Sequence, residues 1–293
     1  VTTAGNLIDR VIQPLLAGTV EERNKIAASL NASDTTVTLT YDLGSLRTQT
    51  VFEIESELFY VWDANQTSKT LTVERGYGGT TAATHANGTA LTASPKFPRK
   101  MVLDALNSEL ADLSSPMNGL FQMKTVDLSY NGSDRMVNLT GVTDVVDFYE
   151  ARLRYLADDY PIIKNVRFLR GMPTSDFASG YVLAFDDDVR SGTIRVLYKA
   201  PYTAFSSESS TVVSAGGGSE LEDLLVLGAQ IRMLAGREVK RNFIESQGDT
   251  RRADEVPAGA MGNSMTGLMR LRRDRIQAEA ARLARQYPLR IRK

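Results

Sequence analysis

Val51-Phe52-Glu53-Ile54, Leu58-Phe59-Tyr60-Val61-Trp62 and Thr70-Leu71-Thr72-Val73 are three β-rich segments parted by turn-forming clusters such as Asp63-Ala64-Asn65. Side chains on a strand point alternately to its two faces, so patterning of period two reads as half-buried strands. With Val37-Thr38-Leu39-Thr40 added upstream, the spacing predicts a small antiparallel module over residues 33–95. Glu53, Glu55 and Glu57 alternate along one strand face; exposed positions on an edge strand are the simplest expectation for them.

On either side the period changes. Upstream, Leu7, Ile8, Val11, Ile12 and Leu15 recur at helical spacing up to Gly18, with a kink or break expected at Pro14. Thr19-Val20-Glu21-Glu22 then reads as a capping box that opens a second short helix, to about Leu30. Residues 1–32 are accordingly expected to be helical. Downstream, Val102, Leu103, Leu106, Leu110 and Leu113 share one face of a helix within residues 96–118, and Pro98 suits its first turn.

From 119 to 205 six or more strand-like segments recur, with turns such as Asn131-Gly132 and Ser191-Gly192, which suggests a β-sandwich. A Ser- and Gly-rich linker follows over 206–219. Within 220–293, Leu221, Leu224, Leu225, Val226, Leu227, Ile231, Met233 and Leu234 make the first helix apolar on most sides, as in a bundle or a subunit contact. Residues 247–262 are polar. In the last helix Met269, Ile276, Ala280, Leu283 and Tyr287 fall in one sector, opposite Arg270, Arg275, Arg282 and Arg285. The fold class expected from these blocks is α+β: a helical bundle built from non-contiguous segments, with two inserted antiparallel β modules, the small one and the sandwich.

The 293 residues include no cysteine and a single histidine, His85, which excludes disulfides, thiolate zinc sites, cysteine nucleophiles and multi-histidine metal centres. His85 lies in a turn-like stretch, where packing or hydrogen bonding is its expected role, and no nucleophile-elbow sequence accompanies it. Gly216-Gly217-Gly218 lacks the lysine and hydroxyl of a phosphate loop and is followed by Glu220, which would repel phosphate. Asp186-Asp187-Asp188 lacks the spacing of a twelve-residue calcium loop and reads as a solvated turn. We therefore expect no enzyme, no cofactor and no metal. No signal peptide is expected from the first residues, and no apolar run approaches the ~20 residues of a membrane helix. A soluble protein made in the cytoplasm is expected.

The formal net charge of −1 argues against general nucleic-acid binding. The charge is unevenly spread, however: Arg270 to Lys293 hold nine basic residues against two acidic ones, a net +7. Such asymmetry calls for an acidic partner. After helix-ending Pro288, Leu289-Arg290-Ile291-Arg292-Lys293 alternates apolar and basic residues, as a docking peptide would.

Two stretches resemble known families. VERGYGGTTAATHANGTAL (residues 73–91) resembles a segment recurring in tailed-phage structural proteins. There a strand ends in Arg75-Gly76, a turn through Gly79 and Thr80 follows, and His85 with Gly88 precedes the next strand. LEDLLVLGA (221–229) with RMLAGRE (232–238) resembles the helix of actinophage-type head–tail adaptor or neck proteins, whose ends are often arginine-rich and followed by Gln-Tyr-Pro, here Gln286-Tyr287-Pro288. The resemblance covers about a quarter of the chain, and the large β region departs from the simplest all-helical adaptors.

It implies a structural virion protein of the head–tail connector, made in the host bacterial cytoplasm. Its partners would be the portal protein, the next neck or tail protein, and further copies of itself in a ring of about twelve. The bundle would wall a channel through which DNA passes without sequence-specific binding, and no membrane is involved. The portal-docking set implied is Arg282, Arg285, Tyr287, Leu289, Arg290, Ile291, Arg292 and Lys293. Gly228 and Gly236, eight apart on the buried helix, would allow close packing between subunits. The alternative is a tail-tip, baseplate or decoration protein whose β-sandwich binds another virion protein or a host glycan.

Overall fold

The computed structural model describes residues 2–16, 19–154, 160–245 and 260–288. Among them the architecture is mostly β: twelve strands in three antiparallel sheets, with four helices. The expected helical bundle with inserted β modules is not what the chain forms. Apolar spacing shows that a helix buries one face but not against what, so it does not tell helices that make a bundle from helices added to a mostly β architecture.

The chain divides into two compact units, one of residues 1–109, 205–212 and 221–272, the other of 110–204, 213–220 and 273–293. In the first unit, helix α1 (Ala4–Leu15) precedes strands β1 (Arg23–Lys25), β2 (Thr36–Thr38), β3 (Val51–Ile54), β4 (Glu57–Asn65), β5 (Thr70–Glu74) and β6 (Ala90–Ala93). Their order in the sheet is β1-β6-β3-β4-β5-β2. The sheet curls until Ile26, just beyond β1, bridges Leu39, just beyond β2. Both edges are thereby covered, which removes a template for unwanted strand pairing. Inside the curl sit Ile26, Val37, Leu39, Phe52, Ile54, Phe59, Val61, Leu71, Val73 and Leu91, with Phe52 and Phe59 stacked at 4.8 Å.

The helix expected over residues 19–30 is instead β1 and its extension. Arg23, Asn24 and Lys25 pair with Thr92, Leu91 and Ala90, and Leu30 bridges His85. Ile26 and Leu30 are four apart, as on a helix, yet Val20 is 95% exposed and only alternate residues near β1 are buried. With so little apolar surface to cover a helix face, pairing with two strands distant in sequence prevails. Pro14 falls in the last turn of α1, so no kink divides that helix.

Helix α2 (Arg99–Leu113) leads to the second unit. There β7 (Gln122–Tyr130), β12 (Gly192–Ala200) and β9 (Asp147–Arg154) form one three-stranded sheet in the order β7-β12-β9. Strands β10 (Val166–Arg170), β11 (Tyr181–Phe185) and β8 (Met136–Asn138) form another. One apolar cluster, including Leu128, Phe148, Leu183, Phe185, Ile194 and Val196, draws on both sheets.

The Ser/Gly-rich stretch 206–219 is anchored. Within the first unit, Thr211 bridges Thr3, and Ala4 and Gly5 donate backbone hydrogen bonds to Ser210 and Glu208. Helix α3 (Ser219–Glu245) and helix α4 (Ala260–Gln286) complete the chain. On α4, Ile276 and Leu283 are buried as expected, whereas Met269 is half exposed and Glu279 shares the buried side. Among the described residues no helix is long and apolar enough to cross a membrane.

Candidate functional site

The most concentrated polar chemistry lies inside the first unit. Strand β4 begins at Glu57, which β3 and β5 flank, so its side chain is shut away from water at 1% exposure. Strand β5 ends at Glu74, and Arg75 immediately after it turns back over the Phe59 ring, 4.8 Å from its centre. Arg75 grips Glu57 with both prongs of its guanidinium: Nε donates to Oε1 at 2.8 Å and Nη2 to Oε2 at 2.9 Å. The backbone N–H groups of Gly76 and Ala83 donate to the same carboxylate, and His85 Nε2 lies 2.9 Å from Oε2. The other imidazole nitrogen faces Glu55 at 2.9 Å. Arg75 also donates to the carbonyls of Asn31, Asp34 and Ala83.

Burial by itself would raise the Glu57 pKa, but the donors from Arg75, His85, Ala83 and Gly76 outweigh it and hold the carboxyl below its ordinary value. Gly76 makes the turn possible: its φ is +64°, and a Cβ there would stand 3.0 Å from the Thr80 carbonyl oxygen. Thr80 Oγ1 accepts from the Leu58 N–H and donates to the Tyr77 carbonyl. Gly79 ends the short turn Tyr77–Gly79, and Gly88 donates its N–H to the Ile26 carbonyl. The structure thus brings Arg75, Gly76, Thr80 and His85 into one latch. It also supplies the partner the sequence reading placed elsewhere: Glu57, and likewise Glu53 at 7% exposure, are interior and not exposed edge positions. Strand β3 is covered by β6, which arrives from forty residues downstream, so its status could not be read locally.

Glu53 borders a cavity of about 700 Å³ in the same unit, lined also by Asp9, Glu21, Glu55, Arg99 and Glu208. Arg99 donates its backbone N–H to Glu53 at 2.7 Å, while its guanidinium engages Asp9 and Glu208. Burial pushes the Glu53 carboxyl up to about 7, against the smaller lowering effect of Arg99. A group titrating near neutrality is suited to general acid–base work, but structural ion clusters shift carboxyls in the same way. Here every close partner of Arg99 belongs to a cluster joining α1, β3 and residue 208.

The shift has a testable consequence. A carboxyl raised from 4.5 to about 7 on folding adds stability that is complete below pH 4.5 and lost as pH rises through 7. Glu53→Gln is therefore expected to match the parent near pH 5 and to exceed it by about 2 kcal/mol at pH 8. Urea unfolding followed by Trp62 emission measures this; a variant weaker at pH 8 would mean that Glu53 folds ionised and paired.

A second polar centre draws on α2, α3 and α4. Glu109, 1% exposed, accepts from Arg232 Nε at 3.2 Å and Arg272 Nε at 2.6 Å. Gly228 faces it within the same chain: a Cβ on Gly228 would stand 2.1 Å from Glu109 Cδ. Gly236 lies on α3, and its surroundings fall outside the described residues.

The basic end of the chain is divided. Arg282 is engaged with Glu279 and Glu220, and the Tyr287 ring packs on Tyr149 and Phe121 within the second unit. Arg270, Arg273 and Arg285 are exposed and have no ion-pair partner among the described residues. Leu289, Arg290, Ile291, Arg292 and Lys293 lie outside the described residues, as do Gly18 and residues 246–259. Asp186 pairs with Arg167, Asp187 accepts from Asn165, and Asp188 lies 3.7 Å from Arg135. Among the described residues no group of three His, Asp or Glu is placed to hold a metal ion. Compared with known proteins, the chain matches no family model and no curated protein.

Proposed function

We propose that this chain is a structural virion protein of a tailed phage, a head-to-tail adaptor that binds the portal and assembles as a ring through which DNA passes. One observation carries the reading: α4 presents Arg270, Arg273 and Arg285 to solvent without ion-pair partners, immediately before a tail holding three further basic residues. Unpaired arginines at this density suit an acidic protein surface, because a guanidinium binds carboxylates in a two-pronged geometry. Tyr287, packed between Tyr149 and Phe121, fixes the helix end from which the chain continues. The reactive side chains point the same way: His85, Glu57, Arg75 and Glu109 are spent on buried contacts that hold the fold. The resemblance of residues 73–91 and 221–238 to phage structural proteins agrees with this reading. Its partners are then the portal, the next neck or tail protein and further copies of the chain, and its location is the virion. No helical bundle walls the channel in this proposal.

The test is the native mass of the purified protein, alone and mixed with portal, for the full chain and for one ending at Tyr287. Portal-bound rings that are lost with residues 288–293 are the expected result. Indifference of both proteins to portal would overturn the adaptor reading. It would favour a tail-tip, baseplate or decoration role, for which the two β units are the supporting observation.

A further inference from the structure

We propose that the outward face of the curled sheet around Tyr60, Trp62 and Tyr77 receives arginine side chains from a second copy of this chain, namely Arg270 and Arg273 on α4. The inference rests on the ring-forming reading above and names the contact that would build the ring.

Alternation along β4 sends Phe59 and Val61 into the core and Tyr60 outward. The pairing of β4 with β5 then shifts between Val61 and Asp63, and at this bulge Trp62 stands out from the sheet, 57% exposed. Its ring meets Tyr60 nearly edge-on, 4.8 Å between centres at 70°, and Tyr60 in turn lies 5.2 Å from Tyr77, itself 39% exposed. Three large aromatic rings therefore share one exposed patch, where an ordinary surface scatters such residues singly.

The charge around the patch says what it suits. Glu74 lies directly across from Tyr60 in the β4–β5 ladder, and Asp63 follows Trp62 opposite Thr72. Both carboxylates are exposed and neither has an ion-pair partner among the described residues. Aromatic faces carry negative potential and attract cations, guanidinium above all, and a carboxylate beside the ring adds hydrogen-bond acceptors in the plane that arginine uses. The complement exists on the same chain. Arg270 and Arg273, one helical turn apart, project together from α4 without ion-pair partners, and neither rests on a ring of its own chain among the described residues. A patch on one copy that meets a different patch on the next is a head-to-tail contact, the type that closes rings.

Trp62 is the sole tryptophan, so emission excited selectively from tryptophan reports on this patch alone. A dilution series of the full chain, read by mass photometry and by Trp62 emission, tests the inference. Assembly should carry the emission to shorter wavelength as the indole leaves water. Glu74→Arg, and separately Arg273→Glu, should raise the concentration needed for assembly at least about tenfold, and the two together in one chain should restore it. Rings of unchanged stability in Glu74→Arg, with Trp62 emission constant through assembly, would overturn this contact and leave the adaptor reading standing. A monomer at every concentration, with or without portal, would overturn both. An emission shift produced by a neutral oligosaccharide at monomeric mass would assign the patch to glycan and overturn the arginine contact.

Discussion

Arg75→Ala is expected to destabilise the first unit by about 3–5 kcal/mol, because it leaves the carboxylate of Glu57 buried without its main counter-charge. The guanidinium does three things at once. It grips Glu57 through two hydrogen bonds, donates to the carbonyls of Asn31, Asp34 and Ala83, and covers the Phe59 ring. Alanine removes all of these beside a carboxylate that is only 1% exposed. Arg75→Lys keeps the charge but not the fork, and an intermediate loss of about 2 kcal/mol is expected. The measurement is urea unfolding followed by Trp62, which lies on the same sheet. A loss under about 1 kcal/mol would place the pair among weak, water-screened surface bridges and refute the latch. The acid limb offers a cross-check. A carboxyl held below its ordinary 4.5 contributes stability that is present above that value and lost as pH falls through the lower folded value. In Arg75→Ala this dependence should flatten, since the largest lowering contact is gone.

Gly228→Ala is expected to be nearly as damaging, at about 2–4 kcal/mol, although it adds one methyl group to a helix and improves helix propensity. The new carbon would stand 2.1 Å from Glu109 Cδ and 2.5 Å from its Cγ, closer than atoms approach. Either α3 moves away from α2 or Glu109 leaves Arg232 and Arg272, and the second course strands a buried charge. Glu109→Gln distinguishes these courses. Removing the charge while keeping the volume should itself cost stability, whereas Glu109→Ala combined with Gly228→Ala should recover part of the loss by making room. Thermal unfolding of the full chain reads all four proteins; a Gly228→Ala protein as stable as the parent would mean that α3 and α2 separate freely at this point.

Much of the candidate site was legible residue by residue, and its wiring was not. The stretch from Arg75 to Gly88 declared a glycine-bearing turn with a lone histidine, because Gly76, Gly79 and Gly88 have few other uses at that spacing. Its acid partner was misplaced: Glu53 and Glu57 alternate as surface acids on an edge strand would. Whether β3 is an edge depends on β6, which pairs with it across about forty residues. An alternating carboxylate and a buried, gripped carboxylate look alike in sequence, and a strongly polar residue inside a sheet is the rarer outcome. The one signal available was Arg75, although it stands eighteen residues beyond Glu57.

Local periodicity, set by the geometry of the backbone itself, was enough to place all four helices, the strands from Val51 to Glu74 and most of those after Gln122. Composition alone excluded disulfides and thiolate or multi-histidine metal sites, since the atoms for them are missing. What surrounds each apolar face was decided only in three dimensions. The stretch after Thr19 became strand because β6 and the extension of β2 offered it backbone partners. The helices formed no bundle, Gly228 received Glu109 of its own chain, and Tyr60, Trp62 and Tyr77 met on one face although sixteen residues separate Tyr60 from Tyr77 and a turn lies between. Each of these outcomes is a pairing between distant residues, and its free energy depends on closing a particular loop in competition with every other, which no local pattern encodes.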